Sequence, residues 1–169
     1  MSSNLKFKIP EKPFKLIVGV ISDTHGLLRP EALALLRGSD HILHAGDIGD
    51  PEIVPALEQI ALVTAIRGNI DRQAWARHFP ETEVVVLGGL HFYLVHDVHT
   101  LDLDPKAAGF AAVISGHSHR PKQELKDGVL YFNPGSAGPK RFSLPISVGR
   151  LQIVDACLTG QILTIAAAN

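Results

Sequence analysis

Seven side chains that can bind metal ions occur in five short groups along the sequence. The groups are Asp23-Thr-His25, Gly46-Asp47, Gly68-Asn69, His96 and Gly116-His117-Ser-His119. Carboxylate oxygens, imidazole nitrogens and an amide oxygen, without sulfur, suit Mn²⁺, Fe, Zn²⁺ or Mg²⁺. Taken singly, the Gly-Asp and Gly-Asn pairs are ordinary turn residues. A common function therefore depends on whether the fold brings the five groups together.

Each group directly follows an apolar stretch of strand length. LIVGVI (16–21) is a continuous apolar segment typical of a buried strand, and HILHA (41–45) and LVTAI (62–66) are predicted to be the second and third strands. In open α/β sheets, the loops beyond the carboxyl ends of the strands form the binding crevice. Seven polar side chains in one crevice would leave several desolvated groups unpaired, which is costly without ions. The sequence therefore predicts a site for two metal ions.

The elements between these groups change along the chain. Helices are predicted from Pro30, over 51–59 and, as a short helix, over 71–79, which gives a βαβαβα start and a parallel sheet. Three hairpins follow, with strands expected in 82–96, in 123–132 and in 147–156 with 161–167. We predict an α/β fold, a single-domain sandwich of two mixed β-sheets flanked by helices.

Composition excludes several classes of protein. The chain has 169 residues, a net charge of −1 and 20% charged residues, so no acidic or basic partner such as nucleic acid or a membrane surface is indicated. Its one cysteine, Cys157, excludes an intrachain disulfide framework and a thiolate zinc cluster. No secretory signal opens the chain, so we expect a cytoplasmic protein with an N-terminal extension, 1–15, and one domain, 16–169.

The order of the five groups is similar to the motif order of the calcineurin-like metallophosphoesterases: Asp-x-His, Gly-Asp, Gly-Asn, His, Gly-His-x-His. The chain resembles their small branch, the YfcE-like family of compact bacterial and archaeal phosphodiesterases, which also includes a retromer subunit. NPGS (133–136) is similar to that branch as well, and the resemblance covers roughly residues 15–155. It implies the single-domain metallophosphoesterase sandwich.

The resemblance also implies roles for the seven side chains. One metal ion would be held by Asp23, His25, Asp47 and His119. Asp47 would bridge to a second ion, completed by Asn69, His96 and His117. A hydroxide between two divalent ions would attack phosphorus in line. Mn is the metal most expected, with Zn, Fe, Ni or Mg as alternatives. The implied activity is that of a phosphoesterase, most of all a phosphodiesterase, on a small phosphate ester, with Asp47 and Asn69 as catalytic residues.

The proton donor departs from the family pattern. Larger relatives place a His after the Gly-Asn pair and small-branch members often a Cys, whereas this chain has Ile70, which cannot donate a proton. His99 either takes over the role of the acid or is an ordinary loop residue. Because general acid catalysis is typically worth about 10²–10⁴-fold, we expect substrates with good leaving groups. Arg141 either reaches a substrate phosphate or is a solvated loop charge.

Two other functions compete with hydrolysis. A non-catalytic metal-binding interaction scaffold on the same fold would be expected to lack a ligand or to expose an apolar patch, whereas all seven ligand positions are filled. A redox or oxygenase centre would favour two His and one carboxylate over Asn and a bridging Asp. We expect no membrane and no sequence-specific nucleic acid as partner, and the sequence leaves open whether copies form a homo-oligomer.

Supporting residues are less determined by the pattern. Asp50 and Asp71 could orient ligand imidazoles, as outer carboxylates often do, or could cap the helices that follow them. His44 is interpreted as a packed strand histidine rather than a ligand.

Overall fold

The computed structural model describes residues 14–165. Its strands are β1 (Lys15–Ile21), β2 (His41–His44), β3 (Leu62–Ala65), β4 (Thr82–Leu87), β5 (Leu90–Val95), β6 (Ala112–Ile114), β7 (Lys122–Lys126), β8 (Val129–Asn133), β9 (Ile146–Val154) and β10 (Cys157–Ile165). Most of the expected extension, 1–15, and the end of the last expected strand, 166–167, lie outside the described residues.

The ten strands form two five-stranded sheets. The first has the order β10-β9-β1-β2-β3 and the second the order β4-β5-β6-β8-β7. Strands β1, β2 and β3 run parallel, as do β5, β6 and β8, while the remaining neighbours are antiparallel. The predicted sandwich of two mixed sheets is confirmed. The sequence did not reveal that β9 and β10 extend the first sheet, because register across a distant hairpin depends on tertiary packing.

The helices are fewer and shorter than the pattern indicated. Helix α1 spans Pro30–Leu36, with Pro at its start as expected, and α2 spans only Ile53–Glu58. The third helical segment is a 3₁₀ helix, Ala74–His78. The predicted helix over 51–59 is therefore too long, since residues 51 and 52 form a turn before it. Within residues 14–165, no helix combines the length and the apolar composition that crossing a membrane requires.

One of the two large apolar clusters of the core lies between the two sheets. Buried side chains of β1 and β2, such as Val20 and Leu43, pack there against Phe92, Leu94 and Phe132 of the second sheet. A second apolar cluster on the far side of the first sheet includes Leu36 of α1 and Leu57 of α2. Burial on both faces explains why apolar residues follow one another directly in β1, and at Ile42 and Leu43 of β2, rather than alternating with polar ones. Rigid strands between two apolar layers hold the loops at their carboxyl ends in place.

The outer face of the second sheet has its own cover. Tyr93, Val95 and Val113 pack there against apolar residues of the 97–110 segment, among them Leu101 and Phe110. This segment begins with the 3₁₀ helix Val98–Thr100. It therefore reaches from the end of β5 across the sheet surface beside the candidate site.

Candidate metal centre

Five loops meet at the carboxyl ends of the parallel strands. The loop after β1 is fastened to the loop after β2 by backbone hydrogen bonds, Asp23 N to Gly46 O (3.0 Å) and His25 N to Asp47 O (3.0 Å). On the other sheet, Gly116 N donates to His96 O (2.9 Å). These bonds connect the loops to one another rather than to solvent, so the side chains they carry have fixed relative positions.

A first cluster consists of Asp23, His25 and His119, and it is largely buried. His25 Nε2 lies 3.2 Å from His119 Nε2, which lies 3.3 Å from Asp23 Oδ1. His25 Nε2 and Asp23 Oδ1 are 3.9 Å apart. One carboxylate oxygen and two imidazole nitrogens thus face a common centre, the arrangement of ligand atoms around one ion.

A second cluster shares Asp23 with the first. It adds Asp47 and His96, with His96 Nε2 3.3 Å from Asp47 Oδ1. The other oxygen of that carboxylate, Asp47 Oδ2, lies 3.7 Å from His25 Nε2 in the first cluster. The two oxygens of Asp47 therefore face different clusters, which is the orientation that a carboxylate between two ions needs.

Asn69 and His117 form a more exposed pair beside the second cluster. Asn69 Oδ1 lies 3.0 Å from His117 Nδ1, and the backbone N–H of His117 donates to Asp23 Oδ2 (3.1 Å). His117 Nε2 is 3.7 Å from Asp97 Oδ2. All seven sequence-predicted ligand residues thus lie around one crevice, with Asn69 and His117 on its open side.

Three buried atoms of the cluster residues have no hydrogen-bond partner among the described residues: Asp23 Oδ1, His96 Nε2 and His119 Nδ1. Of these, Asp23 Oδ1 and His96 Nε2 each point at other ligand-type atoms. An unsatisfied buried polar atom costs about 1–3 kcal/mol, and more when charged. A divalent cation would satisfy both, and the oxygen and nitrogen donor set without sulfur suits such an ion. The residues present therefore fit a divalent metal.

Five of the seven candidate ligand residues have a left-handed backbone. The φ angles are 54° for Asp23, 47° for His25, 54° for Asp47, 65° for His117 and 57° for His119. A non-glycine residue with positive φ is uncommon, and such strain collects where function requires it. The backbone is thus bent at these positions to direct side chains into the crevice.

Two glycines allow the loops to approach this closely. A Cβ on Gly68 would collide with the carboxylate and the backbone nitrogen of Asp47, and one on Gly116 would collide with the Ser22 hydroxyl. Gly68 therefore precedes Asn69 because the chain passes directly over Asp47, rather than because a positive φ is needed.

The two central groups shift each other's pKa. Burial alone would raise the pKa of the Asp47 carboxyl, but the His96 imidazole, the Ile70 N–H and the His25 imidazole together outweigh burial and lower it. Burial alone would lower the pKa of His96, but the Asp47 carboxylate, the Ala45 carbonyl and the Asp23 carboxylate together outweigh burial and raise it. For His25, burial is the main cause of a lowered pKa, and the Arg141 guanidinium adds to the effect. A proton thus competes with a cation for the Asp47–His96 pair.

Asp71 supports the site in a way that the sequence did not indicate. Its buried carboxylate accepts hydrogen bonds from the N–H groups of Ile48 (3.0 Å), Gly49 (2.9 Å) and Gly68 (2.8 Å). It neither caps a helix nor contacts an imidazole; it joins the loop after β2 to the loop after β3. Asp50 caps the turn before α2, accepting from Glu52 N (2.8 Å).

His44 is buried, as its interpretation as a packed strand residue requires. Nδ1 accepts from Gly46 N (3.2 Å), so the neutral ring donates through Nε2 to Thr24 Oγ1 (3.0 Å), which donates to Ile48 O (2.9 Å). Burial lowers the pKa of His44 to about 4. The ring thus joins two ligand-bearing loops without facing the crevice.

The residues discussed as acids or substrate contacts lie at the rim. The N–H of Ile70 donates to Asp47 Oδ1 (3.1 Å), so this position acts through its backbone. His99 is exposed and belongs to neither cluster, and it borders a groove that also contains His117. Arg141 is exposed and close enough to His25 to affect its pKa.

Comparison with known proteins decides the family. The profile of the calcineurin-like phosphoesterase superfamily domain matches residues 16–156, which is most of the chain. The chain belongs to this superfamily. Its clusters are accordingly the candidate metal-binding residues of a metallophosphoesterase.

Two archaeal proteins are similar in sequence to this superfamily member. A probable metallophosphoesterase of Methanothermobacter thermautotrophicus is 35% identical over 161 residues, covering 88% of this chain and 92% of the relative. A phosphodiesterase of Methanocaldococcus jannaschii is 28% identical over 136 residues, covering 70% and 82%. A relative named as a probable metallophosphoesterase and one named as a phosphodiesterase thus match most of this chain's length.

The fold also occurs in a sorting protein. Vacuolar protein sorting 29 from Cryptosporidium parvum has a TM-score of 0.72 at 20% identity, covering 91% of this chain and 100% of that one. At this identity the likeness concerns the fold alone. The fold is therefore shared with a protein named for sorting, and function must be argued from the site.

Proposed function

We propose that this metallophosphoesterase is a phosphodiesterase that hydrolyses small phosphate esters with two divalent metal ions. The observation that carries the proposal is the placement of Asp47, whose two carboxylate oxygens face two clusters of ligand-type atoms. One ion would be held by Asp23, His25, Asp47 and His119, and the other by Asp47, Asn69, His96 and His117. Mn²⁺ is the ion we propose first, since oxygen and imidazole ligands without sulfur suit it.

The charge of the site supports a phosphate substrate. Two divalent ions bring four positive charges, and Asp23 and Asp47 are the two carboxylates that the clusters contribute. The excess positive charge would attract a phosphate group, and the ions would supply a hydroxide nucleophile near neutral pH. Asn69 offers a neutral ligand, so it completes a site without cancelling this charge.

Other side chains of the site would orient a metal ligand, contact the substrate phosphate and supply a proton. His96 is fixed by its Nδ1–H, which donates to Ala45 O (2.7 Å), so its Nε2 is free to bind a cation. Arg141 is exposed, lies close enough to His25 to affect its pKa, and is proposed to contact a phosphate oxygen. His99 is the residue we propose as the source of a proton for the leaving group.

The experiment is hydrolysis of bis(p-nitrophenyl) phosphate by protein loaded with Mn²⁺. We expect turnover that a chelator abolishes and that Mn²⁺ restores. The activated leaving group matters, because it needs no proton donor and so does not depend on Ile70 or His99. His99→Ala would slow only substrates with poor leaving groups if His99 is the acid.

A metal-binding scaffold is the second candidate, favoured by the fold shared with the sorting protein. Protein carrying two metal ions per chain that hydrolyses no activated phosphate monoester or diester would support the scaffold and contradict the enzyme.

A further inference from the structure

Two grooves of similar size border the crevice, and their charges differ. The first, about 530 Å³, contains three cationic side chains, Arg120, Lys122 and Lys126, against the carboxylates of Asp97 and Glu124. The second, about 520 Å³, contains one cation, Arg67, against three carboxylates, those of Glu81, Asp97 and Asp102. Both grooves contain His117. We call the first the cationic groove.

The cationic groove is built on the outer face of the second sheet. Strands β7 and β8 pair with Lys122 opposite Asn133, Glu124 opposite Tyr131 and Lys126 opposite Val129. Residues directly opposite each other in an antiparallel pair lie on the same face. The three alternating charged residues of β7 therefore form one row beside Tyr131, on the face to which the 97–110 segment packs.

This row leads away from the metal centre. Strand β8 runs parallel to β6, whose carboxyl end leads to His117, so Asn133 and Lys122 lie at the metal end of the groove. Lys126 lies four residues farther along β7, about 13 Å away at the usual rise of a strand. A ligand that extends from the metal centre along the row would therefore meet Lys122 first and Lys126 farther along. The distance between these two cations is comparable to the length of a nucleotide.

The groove also has features that suit a compact organic group between two charges. Tyr131 is half-buried and forms part of its lining with Val98 and Leu101. Pockets of about 300–1,000 Å³ with apolar walls and a few polar groups are typical for small ligands. Glu124 accepts from Lys122 (2.6 Å), and the pair is largely exposed, so a ligand anion can exchange for it at little cost.

We propose that the cationic groove binds a second phosphate of the substrate, so that this phosphoesterase prefers nucleotide-sized compounds with two separate phosphate groups. The inference rests on the proposed function, because one phosphate would lie at the metal centre. The second groove has more carboxylates than cations and would repel a phosphate. The second phosphate of the substrate would therefore enter the cationic groove, with Lys122 and Lys126.

Binding of adenosine 3′,5′-bisphosphate tests the proposal against the 3′- and 5′-monophosphates. Calorimetry with Mn²⁺-loaded protein at low salt should give a bisphosphate affinity at least about tenfold above either monophosphate, because one further charge-assisted contact is worth that factor. Amide NMR shifts of Lys122–Lys126 should move with the bisphosphate and not with the monophosphates. Chromatography of the recovered ligand checks that it remained intact.

A pair of matched variants locates the effect. Lys122→Gln with Lys126→Gln should bring the bisphosphate within about threefold of the monophosphates, since both cations of the row are neutralised. Lys15→Gln with Lys106→Gln removes the same charge outside the groove and should keep the preference. Equal affinities in the wild type, or equal losses in both double variants, would overturn the proposal.

The outcome is separable from that of the proposed function. Turnover of bis(p-nitrophenyl) phosphate without any bisphosphate preference contradicts only the groove. A bisphosphate preference that depends on Lys122 and Lys126 without turnover of any activated ester contradicts only the enzyme.

Discussion

At the scale of single residues, Asp47 connects the two halves of the site. Its oxygens lie 3.3 Å from His96 Nε2 and 3.7 Å from His25 Nε2, in different clusters. It also accepts the N–H of Ile70, and its backbone has a φ of 54°. Strain at such a residue persists only when the surrounding structure holds the residue in place.

Asp47→Asn should therefore lose more metal than substitution of any other ligand. The amide has the same size but no negative charge, so affinity should fall by at least about a hundredfold, the upper range seen even for residues outside the coordination sphere. Metal content after dialysis at limiting Mn²⁺, measured by mass spectrometry, checks this.

His41→Gln is the control, because His41 contacts Thr64 Oγ1 (2.8 Å) outside both clusters. If Asp47→Asn retained metal as well as His41→Gln does, the bridging role would be refuted.

At the scale of elements, the site depends on joints between loops rather than on any one loop. Asp71 joins the loops after β2 and β3 through three N–H groups, and His44 joins the loops after β1 and β2 through Thr24. Each joint is buried, where a lost hydrogen bond leaves its partner unsatisfied. The strands place the loops, and these joints fix their relative positions.

The joint at His44 predicts a pH dependence of stability. Its pKa is about 4 when folded and 6.5 ordinarily, so the folded state excludes a proton that the unfolded chain binds. The contribution of His44 to the free energy of unfolding is complete above about pH 6.5. It is lost as the pH falls toward 4, and the total loss is about 3 kcal/mol.

Urea unfolding of chelator-treated wild type and His44→Gln between pH 4 and 8 measures this contribution. The difference in unfolding free energy between the two proteins should shrink as the pH falls, because the histidines that both share cancel. An NMR titration that placed the pKa of His44 near 6.5 would be inconsistent with the buried joint.

At the scale of the whole molecule, the two sheets bring together groups that are distant in the chain. Asp23 and His25 come from the first sheet, and His96, His117 and His119 come from loops of the second. An ion bound between them would link both sheets. Metal binding and global stability should therefore be coupled.

Mn²⁺ at about a hundred times its dissociation constant should stabilise the fold by about 2.7 kcal/mol. For a chain of this size that corresponds to a rise in melting temperature of roughly 5–10 °C. The rise should shrink below about pH 6, because His96, with its raised pKa, must lose its proton before it binds metal.

Differential scanning calorimetry with Mn²⁺ and with chelator, at pH 5.5 and 7.5, measures the coupling. An equal melting temperature with and without metal at pH 7.5 would contradict a site that spans both sheets.

The sequence by itself predicted the sandwich of two mixed sheets, which the structure confirms, and seven candidate ligand residues, whose role as ligands stays a prediction. It could do so because strands with two buried faces have continuous apolar runs, and because Asp, His and Asn follow those runs directly. The hairpin predicted in 82–96 corresponds to β4 and β5, and it was predictable because its turn, at Gly88 and Gly89, depends on local chemistry. Domain bounds of 16–169 stay a prediction.

Only the tertiary structure decided which groups support and extend the site. Two of the three N–H groups that donate to Asp71, those of Ile48 and Gly49, lie more than twenty residues away in the sequence, and only that of Gly68 is local. No local pattern could therefore indicate this set of donors. The same holds for the cationic groove, whose row on β7 has meaning only beside Tyr131 and His117. Local conformational propensity depends on the types of neighbouring residues in the sequence, whereas long-range contacts depend on how the two sheets pack.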